Sequence, residues 1–200
     1  MMRYYYYNNS KNKSKPLSVG FTLVELLVVI TILGVLATIG LVSFASAQAR
    51  GRDAQRKSDL KQIASSLELY YSDYGKYPNS DNGKIQGCPS TSNTDCEWGV
   101  AGSKSDFTDL RTTYFASLPK DPSSDQNYYY LPVTVGSVNQ GFQLYARLEN
   151  SQDLNCLPGV EGTPSCSSPV GIPTGVTCGL GTCNFSVTSS NITPTSTPAP

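Results

Sequence analysis

Few residues of this 200-residue chain have types and spacing that could do chemistry. Six cysteines stand at Cys88, Cys96, Cys156, Cys166, Cys178 and Cys183. An even number without C-x-x-C spacing points to disulfides in an exported, oxidised domain rather than to a metal site. Cys88 with Cys96, Cys156 with Cys166, and Cys178 with Cys183 would each close a local loop, although the connectivity stays open among many. The second candidate is Glu25, the only charge among the 27 residues from Phe21 to Ala47. A carboxylate at the centre of a membrane helix costs about 2.5–3.5 kcal/mol, so it marks function unless it snorkels. Snorkelling is within reach, because Glu25 lies only ~6 Å along a helix from the start of the run. The third is Glu149-Asn-Ser-Gln-Asp153, which offers oxygen ligands but no recognisable calcium pattern. It reads as a solvated acidic loop, with no metal and no cofactor. With no histidine at all, Ser-His-Asp and Cys-His catalysis and His-ligated metals are excluded. Fifteen basic against fifteen acidic residues and a pI near 6.2 argue against a nucleic-acid partner. An enzyme is the least expected answer.

The elements that position these residues are sharply segregated. Nineteen of the 27 residues from Phe21 to Ala47 are apolar; as a helix they cover about 40 Å, more than the roughly 30 Å of bilayer hydrocarbon. Arg3, Lys11, Lys13 and Lys15 precede the run without any acid, and five basic residues lie between Arg50 and Lys61. The positive-inside comparison is therefore nearly a tie. The cysteines decide it: N-terminus inside, C-terminal domain outside. A secretory signal peptide cut at Ala45-Ser-Ala47 competes with an uncleaved anchor, but the run is far longer than the usual h-region.

Gly20-Phe-Thr-Leu-Val-Glu-Leu-Leu-Val-Val-Ile30 resembles the processing signature of type IV prepilins and type II secretion pseudopilins. The resemblance implies removal of a basic leader after Gly20 by a prepilin peptidase, and methylation of Phe21 by the same enzyme. It implies that Glu25 neutralises the new amine during assembly, and that the apolar helix packs in a fibre core. The partners it implies are copies of this chain, other pilin-like subunits and an inner-membrane assembly platform. The family often has a proline where this chain has Val42. Gly34 and Gly40 weaken the same stretch by about 1 kcal/mol each relative to alanine.

Ala49 to Pro78 resembles the outer half of a pilin helix and its exit. Leu60, Ile63, Ala64, Leu67, Tyr70 or Tyr71, and Tyr74 recur at helical spacing, so one face meets a core. Gly75 caps the helix and Pro78 forbids its continuation. Ser80–Gly102 has loop composition. Ser105–Leu118 fits a short helix capped by Ser105, burying Phe107, Leu110, Tyr114 and Leu118. Tyr128–Val135 and Gly141–Leu148 read as strands joined through Gly136-Ser137-Val138-Asn139, with Pro132 placing the first at an edge. Phe142, Leu144, Ala146 and Leu148 alternate with Gln143, Tyr145 and Arg147, as in a half-buried strand. The Leu118-Pro-Lys-Asp-Pro122 segment, Tyr128–Tyr130 and Phe142–Tyr145 look similar to major pseudopilins, which often hold calcium in the following loop. Asn184-Phe-Ser and Asn191-Ile-Thr fit the glycosylation sequon, a pattern that occurs often by accident.

The expected fold is α+β and pilin-like, with a single transmembrane segment and a long N-terminal helix packed by its outer half on a small antiparallel head. Its parts are a cleaved leader (1–20), a transmembrane and assembly half-helix (21–47), an amphipathic half-helix (48–74), a disulfide-containing head (75–186) and a disordered Ser/Thr/Pro tail (187–200). The expected function is that of a structural subunit of a type IV pilus-like fibre, membrane-anchored before assembly and extracellular or in the envelope after it. A subunit of a short type II secretion pseudopilus is the alternative, and a secreted binding domain the alternative of a different class. Loss of the leader removes four of the fifteen basic residues and leaves the mature chain acidic.

Overall fold

A computed structural model describes residues 20–88, 94–99, 106–109 and 111–192, without the side chains of 39–43. Residues 1–19, Tyr4–Tyr7 included, and residues 193–200 lie outside the described residues. Helix α1 runs Leu23–Tyr74. The chain divides into two compact units at Ser43/Phe44.

In the first unit, among the described residues, nothing covers the helix. Leu23, Val24, Leu26, Leu27, Val28, Val29 and Ile30 are consecutive or nearly so, and every one is exposed. A run this apolar has no polar face to turn outward. Among the described residues no helix is long and apolar enough to cross a membrane; the apolar run includes residues 39–43, whose side chains are not described.

In the second unit α1 turns one face to a core. Leu60, Ile63, Leu67 and Tyr70 are buried, with Ala64 and Tyr71 packed against them. Tyr74, expected on that face, is exposed; it stacks on Tyr70 and donates its hydroxyl to Asp109. The helix ends as expected: Gly75 adopts a φ of 64° and its N–H reaches the Tyr71 carbonyl at 2.7 Å.

Among the described residues the head holds three small antiparallel sheets: β1 (Ser80–Asp81) with β2 (Lys84–Ile85), β3 (Phe107–Thr108) with β4 (Thr113–Phe115), and β5 (Tyr129–Val135), β6 (Val138–Ala146) and β7 (Phe185–Thr188) in that order. The β5–β6 hairpin is tighter than expected. Val135 pairs with Val138 across Gly136-Ser137, and Gly136 takes a φ of 67° at the first turn position, as two-residue type II′ hairpins require. Pro132 sits on an outer strand of its sheet.

Three expectations are corrected. The described residues of the segment 105–118 include β3 and β4 and no helix, while Ser105 and Leu110 lie outside the described residues. The Asp109 carboxylate takes the N–H groups of Arg111 and Thr112, and the Asp109 N–H bonds the Thr112 carbonyl, so the backbone turns where a helix would continue. Thr113-Tyr-Phe then suits a strand. Phe107, Tyr114 and Leu118 are buried all the same. Second, β6 is buried on both faces from Gly141 to Ala146. Phe142, Leu144 and Ala146 join the core under α1, while Tyr145 packs with Leu157, Val176, Cys178 and Cys183 on the other side. The loops after β6 cover the face that alternation assigns to solvent; Gln143, buried there, accepts the Tyr145 hydroxyl. Third, residues 187–189 belong to the head and not to a disordered tail, because Phe185–Thr188 pairs with β6 and Ser189 is buried.

The head contains the disulfides Cys88–Cys96, Cys156–Cys166 and Cys178–Cys183, and no cysteine is free. Asn184 is buried between the loops, its amide spent on the Leu148 backbone and the Cys166 carbonyl, which leaves that sequon inaccessible. Exported protein, denatured without reductant, is expected to take up no alkylating reagent. Labelling of two or more cysteines would contradict the pairing and the export it implies.

Candidate assembly site

The start of α1 is built by four residues. Gly20, Phe21 and Thr22 lie outside the helix, and Phe21 is 91% exposed. The Thr22 hydroxyl accepts the Glu25 N–H at 3.2 Å, and a Glu25 carboxylate oxygen accepts the Thr22 N–H at 2.9 Å and its hydroxyl at 2.8 Å. This reciprocal arrangement is the capping box, and the Thr-x-x-Glu spacing announces it in the sequence. It satisfies donors that a helix start otherwise leaves bare. Glu25 therefore has a local task besides its charge, and Thr22 is the capping residue that reading Glu25 only as a charge misses. Gly20 and Phe21 are accessible backbone directly before this cap.

Further along α1, a second cluster ties the helix to the head. Arg56 is fully buried, and its guanidinium donates to Asp53 at 2.8 Å and to both oxygens of Asp121 at 2.8 Å. It also lies 2.8 Å from Glu149. Asp53 in turn accepts the backbone N–H groups of Glu149 and Asn150. Arg52 pairs with Glu149, and Lys57 with Asp153 at 2.6 Å. Fewer than two turns of helix, residues 52–57, thus supply three cations and one acid to two loops of the head. The hydrogen bond from Arg52, with help from Arg56, holds the Glu149 carboxyl down at about 2. Desolvation raises the Asp153 carboxyl, but Lys57 and Asn155 outweigh it and leave it lowered.

In the loop after β6 both acidic side chains already have partners. Glu149 is committed to Arg52, Arg56 and the Ser123 hydroxyl, and Asp153 to Lys57 and Asn155. A cation would have to displace two guanidinium groups and an ammonium. Among the described residues no group of three or more His, Cys, Asp or Glu side chains could hold a metal ion. Chelator or added calcium is therefore expected to leave the thermal midpoint unchanged. Saturating a site would raise stability by about 2.7 kcal/mol at a hundredfold excess over Kd, so a calcium-dependent rise of several degrees would contradict this.

Residues 20–41 match the family described as the prokaryotic N-terminal methylation motif. The type II secretion system core protein G of Pseudomonas aeruginosa is 32% identical over 133 residues, 64% of this chain and 80% of that protein. The chain belongs to the family of type IV pilins and type II secretion pseudopilins. Two further relatives bracket it. The core protein G of Vibrio cholerae is 26% identical over 120 residues, 75% of its length, whereas the type IV major pilin protein PilA of Myxococcus xanthus is 32% identical over 71 residues, 32% of its length. No solved structure matches. As a pilin-like structural subunit, the chain polymerises into a fibre. The capped, apolar and uncovered start of α1 is the part of this pilin-like chain that the methylation motif spans.

Proposed function

We propose that this subunit is anchored in the membrane by residues 21–47 with its N-terminus inside, is cut after Gly20 and is methylated on Phe21. It then leaves the bilayer for a fibre in which the same apolar residues pack against sister helices. The observation that carries this reading is the uncovered apolar surface all round the first turns of α1, which needs lipid or other helices to bury it. The Gly20-Phe21 junction, exposed and outside the helix, is open to a peptidase. The head beyond residue 75 is carried outward on the amphipathic half-helix, and its boundary moves to include β7. The chain has a structural rather than an enzymatic role. Its partners are copies of itself, other pilin-like subunits, the processing peptidase and an inner-membrane platform.

The fibre is proposed to be a secretion pseudopilus, because the likeness to core protein G covers 133 residues, 64% of this chain and 80% of that protein. A surface pilus is the second reading, favoured by the match to PilA over 71 residues. Expressed with a type II secretion assembly machinery, the chain is expected in sheared or envelope-associated fibres. Its recovery as processed monomer alone would count against the proposal.

A further inference from the structure

The three disulfides of the head differ in what shields them. Cys88 and Cys96 are 1% and 0% exposed in the core that α1 covers, and Cys178 and Cys183 are both 0% exposed in the smaller cluster with Tyr145. Cys156–Cys166 is built differently. Cys156 is 5% exposed, whereas Cys166 is half-buried and lines a cleft of about 770 Å³ together with the exposed Ser151 and Ser167. A thiolate must touch a sulfur to open a disulfide, so access ranks these three bridges. It also ranks the two cysteines of the open bridge, because Cys166 borders the cleft and Cys156 belongs to the core.

The loop that this bridge closes has other ties. The Ser165 N–H bonds the Leu157 carbonyl at 2.9 Å, and the Gly159 N–H bonds the Thr163 carbonyl at 2.8 Å, so the two arms of the loop stay paired. Both arms are also tied to one buried residue. The Leu157 N–H bonds the Asn184 carbonyl at 2.7 Å, and the Asn184 amide donates to the Cys166 carbonyl at 3.0 Å. With the bridge broken, these bonds hold its two cysteines side by side, ready to close again. Opening is then a local event and no step of global unfolding.

We infer that Cys156–Cys166 is an exchange site for small thiols, and that Cys166 is the sulfur that takes them up. The thiolate of the small molecule attacks the Cys166 Sγ and forms a new S–S bond to it. The Cys156–Cys166 bond breaks, its electron pair leaves on the Cys156 Sγ, and that thiolate takes a proton from water. One disulfide stands before and after, so no oxidant or reductant is consumed. In the return step Cys156 gives up the proton and attacks Cys166, which expels the small thiol. The head thereby carries a removable group in its cleft while the other two bridges stay shut.

The test uses the full chain in detergent micelles at neutral pH, without denaturant, and reduced glutathione as the probe. Samples are quenched with excess alkylating reagent and mapped by mass spectrometry. A glutathione adduct on Cys166, with alkylated Cys156, is expected to form about tenfold or more faster than any change at the other four cysteines. The circular dichroism spectrum should stay unchanged, and removing free glutathione before the quench should restore the bridge. Ser151→Trp changes an exposed residue and narrows the cleft, so it should slow the adduct about tenfold with the same spectrum. An adduct on Cys156, earlier opening of either other bridge, or opening of all three together at the rate of unfolding would overturn the inference. An adduct that forms as fast in a folded Ser151→Trp would overturn it too.

Discussion

Glu25→Gln is expected to leave the subunit expressed, inserted and cut after Gly20, yet to reduce fibre yield at least tenfold. The substitution separates the two tasks of this residue. Its amide oxygen can still accept the Thr22 N–H, so the capping box survives. What disappears is the negative charge. In a dry helical core the amine of a processed Phe21 would then stand uncompensated, and a buried charge without its partner typically costs 3–5 kcal/mol. Each 1.4 kcal/mol is a factor of ten in an equilibrium, so even a fraction of that loss empties the assembled state. Thr22→Val is the reciprocal control. It removes the hydroxyl that accepts the Glu25 N–H, at a cost of about 1 kcal/mol to the helix start, and keeps the charge. Its fibre yield should stay near wild type. Comparing processed monomer with sheared fibre in both variants decides the matter. Normal fibres from Glu25→Gln with none from Thr22→Val would mean that the cap, not the charge, governs assembly.

Arg56→Met is expected to destabilise the head by about 3–5 kcal/mol, because it leaves Asp53 and Asp121 buried with no cation between them. For a domain of this size the thermal midpoint falls by on the order of 10 °C or more. Arg52→Ala, at a half-exposed pair, should cost less than about 1 kcal/mol. The double variant Arg56→Met with Asp121→Leu should recover part of the loss, since it removes one stranded charge. The same cluster sets an acid dependence. Glu149 is held at about 2, below its usual 4.5, so the folded state binds its proton less readily than the unfolded chain. That contribution is whole above pH 4.5 and lost as the pH falls towards 2. Glu149→Gln should flatten the acid limb of a midpoint-against-pH curve. An unchanged curve, or a midpoint for Arg56→Met within two degrees of wild type by the same scale, would show that the cluster contributes little.

What the sequence made legible, and what it did not, divides along a physical line. Local signals held. Apolar spacing placed Leu60, Ile63 and Leu67 inward, Gly75 ended α1, and Gly136 turned the hairpin. The disulfides join the cysteines nearest in sequence. The features that were hidden depend on distant segments arriving at one place. Arg56 reads as a solvated charge until Asp121 and Glu149 come from the head to meet it. Gln143 and Tyr145 alternate as if exposed, and only the fold of residues 157–183 covers them. The 105–118 segment has helical spacing of apolar residues, but the Asp109 side chain competes for the backbone and wins. Thr22 is a different case: its capping spacing is local and readable, overshadowed by the charge three residues on.

The central claim is that this chain becomes a fibre subunit through a newly made N-terminus ahead of a capped apolar helix. Mass spectrometry of the N-terminal peptide, taken from protein made in a host with an active prepilin peptidase, tests it most directly. The account predicts a chain that begins at Phe21 and carries one added methyl group on its amine. An intact leader in that host, or a chain beginning at Gln48 after cleavage behind Ala47, would contradict it.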